Sequence, residues 1–279
     1  MRRKTKIVLI IILSILLAGE LAFAAWLYHE DGKSEVTDSP TTVSTDAPTD
    51  PPTTPPTDAP TDPPTEAPTE PPVVLHSGLR EDGTFGEGAM LIGDSLTYGL
   101  VSNYLTNSKK LGDAMYMAMP GKGISAFFNG IRLKKKGDEI HLYNKEFEGL
   151  PMDEVVARNG ERITAVYFMM GTNASAVDCP EEYIKIVDYI LEHCPDATVY
   201  LQLVPHSRKT YIKYEEANQN IRTAYEHYQQ AGNPKVMLID TYTAIGENLN
   251  VDGIHLTEQG QECWYNAIVA FAQENNIPQ

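Results

Sequence analysis

Residues 73–279 predict an α/β fold, a parallel sheet held between two helical layers. Two observations lead there. Short apolar runs alternate with amphipathic segments, the pattern of strands joined by helical crossovers. The apolar runs are also near-continuous rather than alternating with polar residues, as strands covered on both faces are.

In chain order the strands are "AMLIG" at 89–93, "AMYMAM" at 114–119, "ITAVYFMMG" at 163–171, "TVYLQLV" at 198–204 and "KVMLID" at 235–240. A helix starts after the first strand, near Ser95. "PEEYIKIVDYILEHCP" at 180–195 opens on Pro180, has acids in its first turn, and places Tyr183, Ile186, Val187 and Ile190 on one stripe. "YEEANQNIRTAYEHYQQAG" at 214–232 ends on a glycine suited to a C-cap. "TEQGQECWYNAIVAFAQEN" at 257–275 opens on Thr257, a candidate N-cap. Residues 133–150 fit neither strand nor helix well and read as an inserted loop or hairpin near the active face.

The rest of the chain is of a different kind. Residues 1–28 join a basic start, "MRRKTK", to an apolar run from Ile7 to about Tyr28, broken only by Glu20. About 20 apolar residues cross a bilayer core as a helix, and basic residues ahead of the run keep that end cytoplasmic. The run exceeds the ~7–15 residues usual for the apolar part of a signal peptide. It is therefore read as a single-pass membrane anchor with the following domain extracellular. "AFA" at 22–24 leaves a cleaved signal peptide, and a secreted product, as the alternative. Residues 29–72 repeat a Pro-Thr-Asp/Glu unit, with almost no large apolar side chain to build a core. In polyproline II, Pro40–Pro72 reaches on the order of 100 Å at ~3.1 Å per residue. This segment is read as a disordered linker.

Of the net charge of −16, −10 falls within residues 73–279. A domain this acidic argues against nucleic acid or anionic lipid as a partner. The three cysteines, Cys179, Cys194 and Cys263, cannot all pair. Cys179 and Cys194 flank a predicted helix that sets them about 20 Å apart, too far for a disulfide. They are expected to be buried or inert thiols. No motif for a metal or a cofactor is present.

Four short stretches follow strands or loops that gather at one edge of the sheet: Gly93-Asp94-Ser95-Leu96, Gly121 in "MPGKGIS", Gly171-Thr172-Asn173, and Asp252-Gly253-Ile254-His255-Leu256. Ligands of open α/β sheets bind at the carboxyl ends of strands. A serine there becomes a nucleophile only if a base takes its proton. His255 is the candidate base, and Asp252, three residues earlier, can hold the far ring nitrogen and fix the tautomer. Attack on an ester creates an oxyanion that needs aimed donors. The N–H groups of Ser95 and Gly121 and the amide of Asn173 can supply them. Each element alone has a plain structural explanation: an N-cap, a turn, a loop, a core histidine. Their order and their positions at element ends make the set specific.

"GDSL" near the start of the domain, a glycine block, "GTN" and a terminal "DGIHL" resemble the four blocks of the SGNH/GDSL hydrolases, over roughly residues 88–275. The resemblance implies a three-layer α/β/α sandwich with a flavodoxin-like parallel sheet. It implies Ser95 as nucleophile, His255 as general base and Asp252 as its partner. The oxyanion hole it implies is formed by Ser95, Gly121 and Asn173. "PGKG" offers Gly123 as well as Gly121. Ala174 stands where many members have Asp after "GTN". The G-x-S-x-G elbow of the α/β-hydrolases is absent.

The function expected from these residues is a serine esterase that cleaves small acyl esters, acetyl among them, with an acylated cell-wall or dietary glycan as substrate. An O-acyltransferase would pass the same acyl group to a sugar hydroxyl. A binding module of the same fold would lack turnover altogether.

Overall fold

The structure, a computed structural model, describes residues 73–136, 139–173 and 179–278. The expected anchor at 1–28, the linker at 29–72 and the departure at Ala174 lie outside these residues. Among the described residues no helix is long and apolar enough to cross a membrane.

The central sheet is built from β1 (Ala89–Gly93), β2 (Met115–Ala118), β5 (Leu142–Tyr143), β6 (Ala165–Met169), β7 (Thr198–Gln202) and β8 (Val236–Ile239), in the order β5-β2-β1-β6-β7-β8. All neighbours are parallel except β5, which runs antiparallel to β2. Leaving β5 aside, the order is that of a flavodoxin-like sheet, whose strand order reverses beside β1. β1 leads outward to β2, and the chain then returns to β6 on the other side. A crevice therefore opens at the carboxyl ends of β1 and β6.

Both faces of the sheet are covered. Met90, Ile92, Met117, Val166, Phe168, Val199 and Leu201 face one buried cluster. It includes residues of α2 (Met152–Asn159), α3 (Pro180–His193) and α4 (Tyr214–Gln230). Leu91, Tyr167, Tyr200 and Ile239 face the other, with Leu96, Leu100, Trp264 and Ile268. These last come from α1 (Ser95–Gly99), the π-helical segment Leu100–Leu105 that continues it, and α6 (Glu258–Glu274). α5 (Thr241–Ile245) follows β8. Burying a side chain such as Ile92 or Phe168 contributes about 1.5–3 kcal/mol, so two filled layers hold the sheet edge rigid.

The expected strands and helices occur within a few residues of their sequence ranges, and Thr257 caps α6, its side chain accepting from Gly260 N. The insertion at 133–150 contains short pieces: β3 (Lys135–Lys136), β4 (Glu139–Ile140), which pairs with it, β5, and one turn of 3-10 helix. The three cysteines differ in burial. All are free, but only Cys194 is buried, where burial pushes its thiol up to about 12. Cys179 and Cys263 are half-buried.

The start of the domain is tied down at the amino ends of the strands. His76 N donates to Thr198 Oγ1 at 2.9 Å, and Ser77 Oγ donates to Pro278 O at 2.7 Å. The hydroxyls of Tyr167 and Tyr200, which stack on one another, donate to Ser77 O and His76 O.

Candidate active site

Gly93 ends β1 where only a glycine fits. A Cβ there would stand 2.0 Å from Thr97 Oγ1 and 2.4 Å from Met169 O. The close approach lets the chain turn at once into α1, with Asp94 as its N-cap and Ser95 as its first residue.

Asp94 is fully buried. Its Oδ1 accepts from Leu96 N at 3.0 Å. Its Oδ2 accepts from Thr172 N at 3.3 Å, from Asn173 Nδ2 at 3.4 Å and from the Thr172 hydroxyl. Burial pushes this carboxyl up from its ordinary value, against the opposing pull of these donors. The carboxylate thus ties the end of β1 to the end of β6. It brings Asn173 to Asp94, the residue before Ser95, across a sequence gap of 79 residues. The sequence places Asp94 in the Gly93-Asp94-Ser95-Leu96 stretch without assigning it this role. The signal was there: an acid between a strand and a helix, next to a serine, with Thr-Asn at the end of the neighbouring strand.

The second strand reaches the same crevice. Met119 N donates to Gly93 O at 2.9 Å, and Lys122 N donates to Met119 O at 3.2 Å. The turn so closed puts Gly121 third, at φ +72°, the left-handed conformation that favours glycine. Gly123 has ordinary extended geometry, at φ −82°. Among the described residues, no acceptor takes the N–H of either glycine.

The last block is a tight loop. Gly253 N donates to Asn250 O at 2.9 Å. Asp252 Oδ1 accepts from Ile254 N at 2.9 Å and His255 N at 3.0 Å, and its Oδ2 meets His255 Nδ1 at 2.7 Å. Burial pushes Asp252 up, but these bonds outweigh it and hold the carboxyl down at about 2. It is therefore ionised at neutral pH. Nδ1 carries the proton that it accepts, which leaves Nε2 of a neutral ring as an acceptor. Both side chains are half-exposed, Asp252 at 46% and His255 at 47%.

Ser95 and His255 line one cavity of about 390 Å³. Its walls include Asn103, Lys122, His141 and Gln261. Gly121 and Asn173 are not on that wall; Pro120 and Lys122, either side of Gly121, are. Ile140 and His141 come from the insertion at 133–150, which therefore reaches the cavity of Ser95 and His255. The sequence did not single out His141, Asn103 or Gln261, because nothing local marks a residue that the fold alone brings to Ser95.

No protein-family model matches the chain, and no curated protein does. Solved structures similar to it include a protein described as an acylhydrolase from Bacteroides fragilis, 17% identical, with 68% of this chain and 88% of that one covered and a TM-score of 0.45. The C-terminal catalytic domain of peptidoglycan O-acetyltransferase A from Streptococcus pneumoniae is 18% identical over 68% of this chain and 96% of that one, with a TM-score of 0.42. A family 3 carbohydrate esterase from Talaromyces cellulolyticus is 19% identical over 68% of this chain and 99% of that one, with a TM-score of 0.39. In fold, the chain resembles the SGNH/GDSL hydrolases.

Proposed function

We propose that residues 73–279 form a serine ester hydrolase that removes small acyl groups, acetyl among them, from an acylated glycan. The observation that carries this reading is the 2.7 Å bond from His255 Nδ1 to Asp252, on a ring that shares its cavity with Ser95. In that tautomer Nε2 takes the Ser95 proton as Oγ attacks the acyl carbon. The oxyanion is held by the N–H of Ser95, the amide of Asn173 and the N–H of Gly121 or Gly123. The imidazolium returns its proton to the departing alcohol. A water molecule, deprotonated by the same ring, then releases the acid.

A fluorophosphonate probe should label the wild-type domain on Ser95, and nitrophenyl acetate should be hydrolysed. Ser95→Ala should lose both while keeping its circular dichroism. Labelling that survives in Ser95→Ala would sink the assignment. Loss of a nucleophile costs about 10⁶ in kcat in a comparable triad, so residual turnover near the wild-type rate is not compatible with it.

The half-exposed His255 favours water over a bound sugar as the acceptor, hence hydrolysis over acyl transfer. Constant acid release when free sugar is added supports hydrolysis. Release that falls as an acylated sugar accumulates identifies a transferase. A binding module would neither label nor turn over.

We also propose that residues 1–28 anchor the chain in the cell membrane and that 29–72 hold the domain outside it. Recovery of the full chain in a carbonate-washed membrane fraction tests this. A soluble product that starts after residue 24 would identify a cleaved leader instead.

A further inference from the structure

Gln261 lines the cavity that holds Ser95, is only 4% exposed, and carries an Oε1 with no hydrogen-bond partner among the described residues. Leaving a buried amide oxygen unpaired is destabilising, and native proteins do so rarely. Two further features meet at the same place. A Cβ on Gly99 would stand 3.2 Å from Gln261 Nε2 and 3.9 Å from Asn103 Nδ2, so two side-chain amides flank bare backbone one turn after Ser95. Asn103 lies in the π-helical segment Leu100–Leu105, whose wider turn shows in the bond from Thr106 N to Val101 O at 3.1 Å. π-helical turns inside α-helices gather at functional sites. Gly99, Asn103 and Gln261 all line the cavity.

We propose that Gln261, with Asn103 beside it, binds a hydroxyl on the alcohol part of the substrate. The pair would thereby select sugar esters over esters of plain alkyl or aryl alcohols. This rests on the reading of Ser95 as the nucleophile. A small acyl group such as acetyl has no hydroxyl to offer, so the bond belongs to the alcohol side. A hydroxyl both donates and accepts. The terminal torsion of glutamine is broad and roughly two-fold, so a half-turn exchanges its oxygen and nitrogen without moving the chain. One sugar hydroxyl therefore satisfies whichever end it meets. A substrate lacking it leaves the amide unpaired, which is how a hydrogen-bonding site rejects an analogue.

The test compares kcat/KM on an O-acetylated sugar with that on its deoxy analogues, each lacking one hydroxyl next to the ester. For the wild type, one analogue should be cleaved about tenfold less well, the effect of one uncharged hydrogen bond. In Gln261→Leu the ratio should fall to near one, and the thermal midpoint should hold or rise because an unpaired polar atom has been removed. Equal cleavage of the sugar and every deoxy analogue by the wild type overturns the proposal, with no variant needed. So does a tenfold ratio that persists in Gln261→Leu. Failure of the nucleophile reading shows separately: an unlabelled wild-type protein with fluorophosphonate overturns both.

Discussion

Asp94 and Asp252 begin as the same local device. Each accepts a hydrogen bond from the backbone N–H two residues on, Leu96 in one case and Ile254 in the other. The fold then separates them. Asp94 is fully buried and joins two strand ends far apart in sequence, and burial pushes its carboxyl up. Asp252 is half-exposed, bonds among the described residues only within its own loop, and is held down at about 2. The buried aspartate frames the site by tying Ser95's neighbourhood to Asn173. The exposed one governs a single proton on His255. The same short motif thus serves as a girder or as a proton control, depending on how much water reaches it.

The sharpest probe of this contrast is Asp252→Asn. Oδ1 of Asp252 accepts two backbone N–H groups, so the oxygen of an asparagine stays there and its NH₂ takes the place facing His255 Nδ1. The amide then donates to Nδ1, the ring proton moves to Nε2, and no acceptor remains for the Ser95 proton. We expect kcat to fall by about 10⁴, further than in Asp252→Ala, where the ring keeps its choice of tautomer. An Asn variant more active than the Ala variant would break the proton-control half of the comparison.

Asp94→Ala tests the other half. Leu96 N, Thr172 N and the Thr172 hydroxyl would lose a shared acceptor in a buried site, and the half-buried Asn173 Nδ2 would lose one of its two acceptors. Destabilisation of about 4 kcal/mol is expected in urea unfolding, at ~1–3 kcal/mol per stranded group and some relaxation. A change below about 1 kcal/mol would mean that Asp94 frames nothing. Asn173→Ala should leave stability nearly intact and lower kcat by about 10²–10³ with little change in KM. A loss confined to KM would make Asn173 a ground-state binder.

The smallest effect is in acid stability, and the two aspartates should differ in sign. Asp252's carboxyl lies below its ordinary 3.8, so its contribution is present above that value and lost as pH falls toward about 2. Asp94's lies above 3.8, so its contribution is greatest at low pH and shrinks as pH rises past that value. The Asp252 term is small because the pair is half-exposed. Unfolding midpoints of the wild type, Asp252→Asn and Asp94→Asn between pH 2 and pH 7 read both slopes. Parallel curves for the two variants would erase the distinction.

The parallel strands were legible because a strand buried on both faces must be apolar throughout. β1 occupies Ala89–Gly93 as the run "AMLIG" predicts, and α3 starts at Pro180 as its N-terminal proline predicts. The Asp252–His255 pair was legible because its geometry is local, a turn that three residues define. Asp94, His141, Asn103 and Gln261 were not, since their roles depend on partners brought together by the sheet and by the insertion. α2 was also missed: it is eight residues long and directly follows the irregular insertion, with only Met152, Val155 and Val156 buried. The choice between Gly121 and Gly123 also turns on the fold. Gly121 already has a conformational reason to be glycine, which by itself makes no claim about the oxyanion.

The bonds that fasten His76 and Ser77 lie at the amino ends of β6 and β7, on the opposite edge of the sheet from Ser95. A mechanical load entering the domain at residue 73 would be taken up there. The two stacked tyrosines and the clasp from Ser77 to Pro278 would carry it into the middle of the sheet before it reached the edge that holds Ser95. A domain hauled by its N-terminal end would turn the edge that carries Ser95 away from the pull.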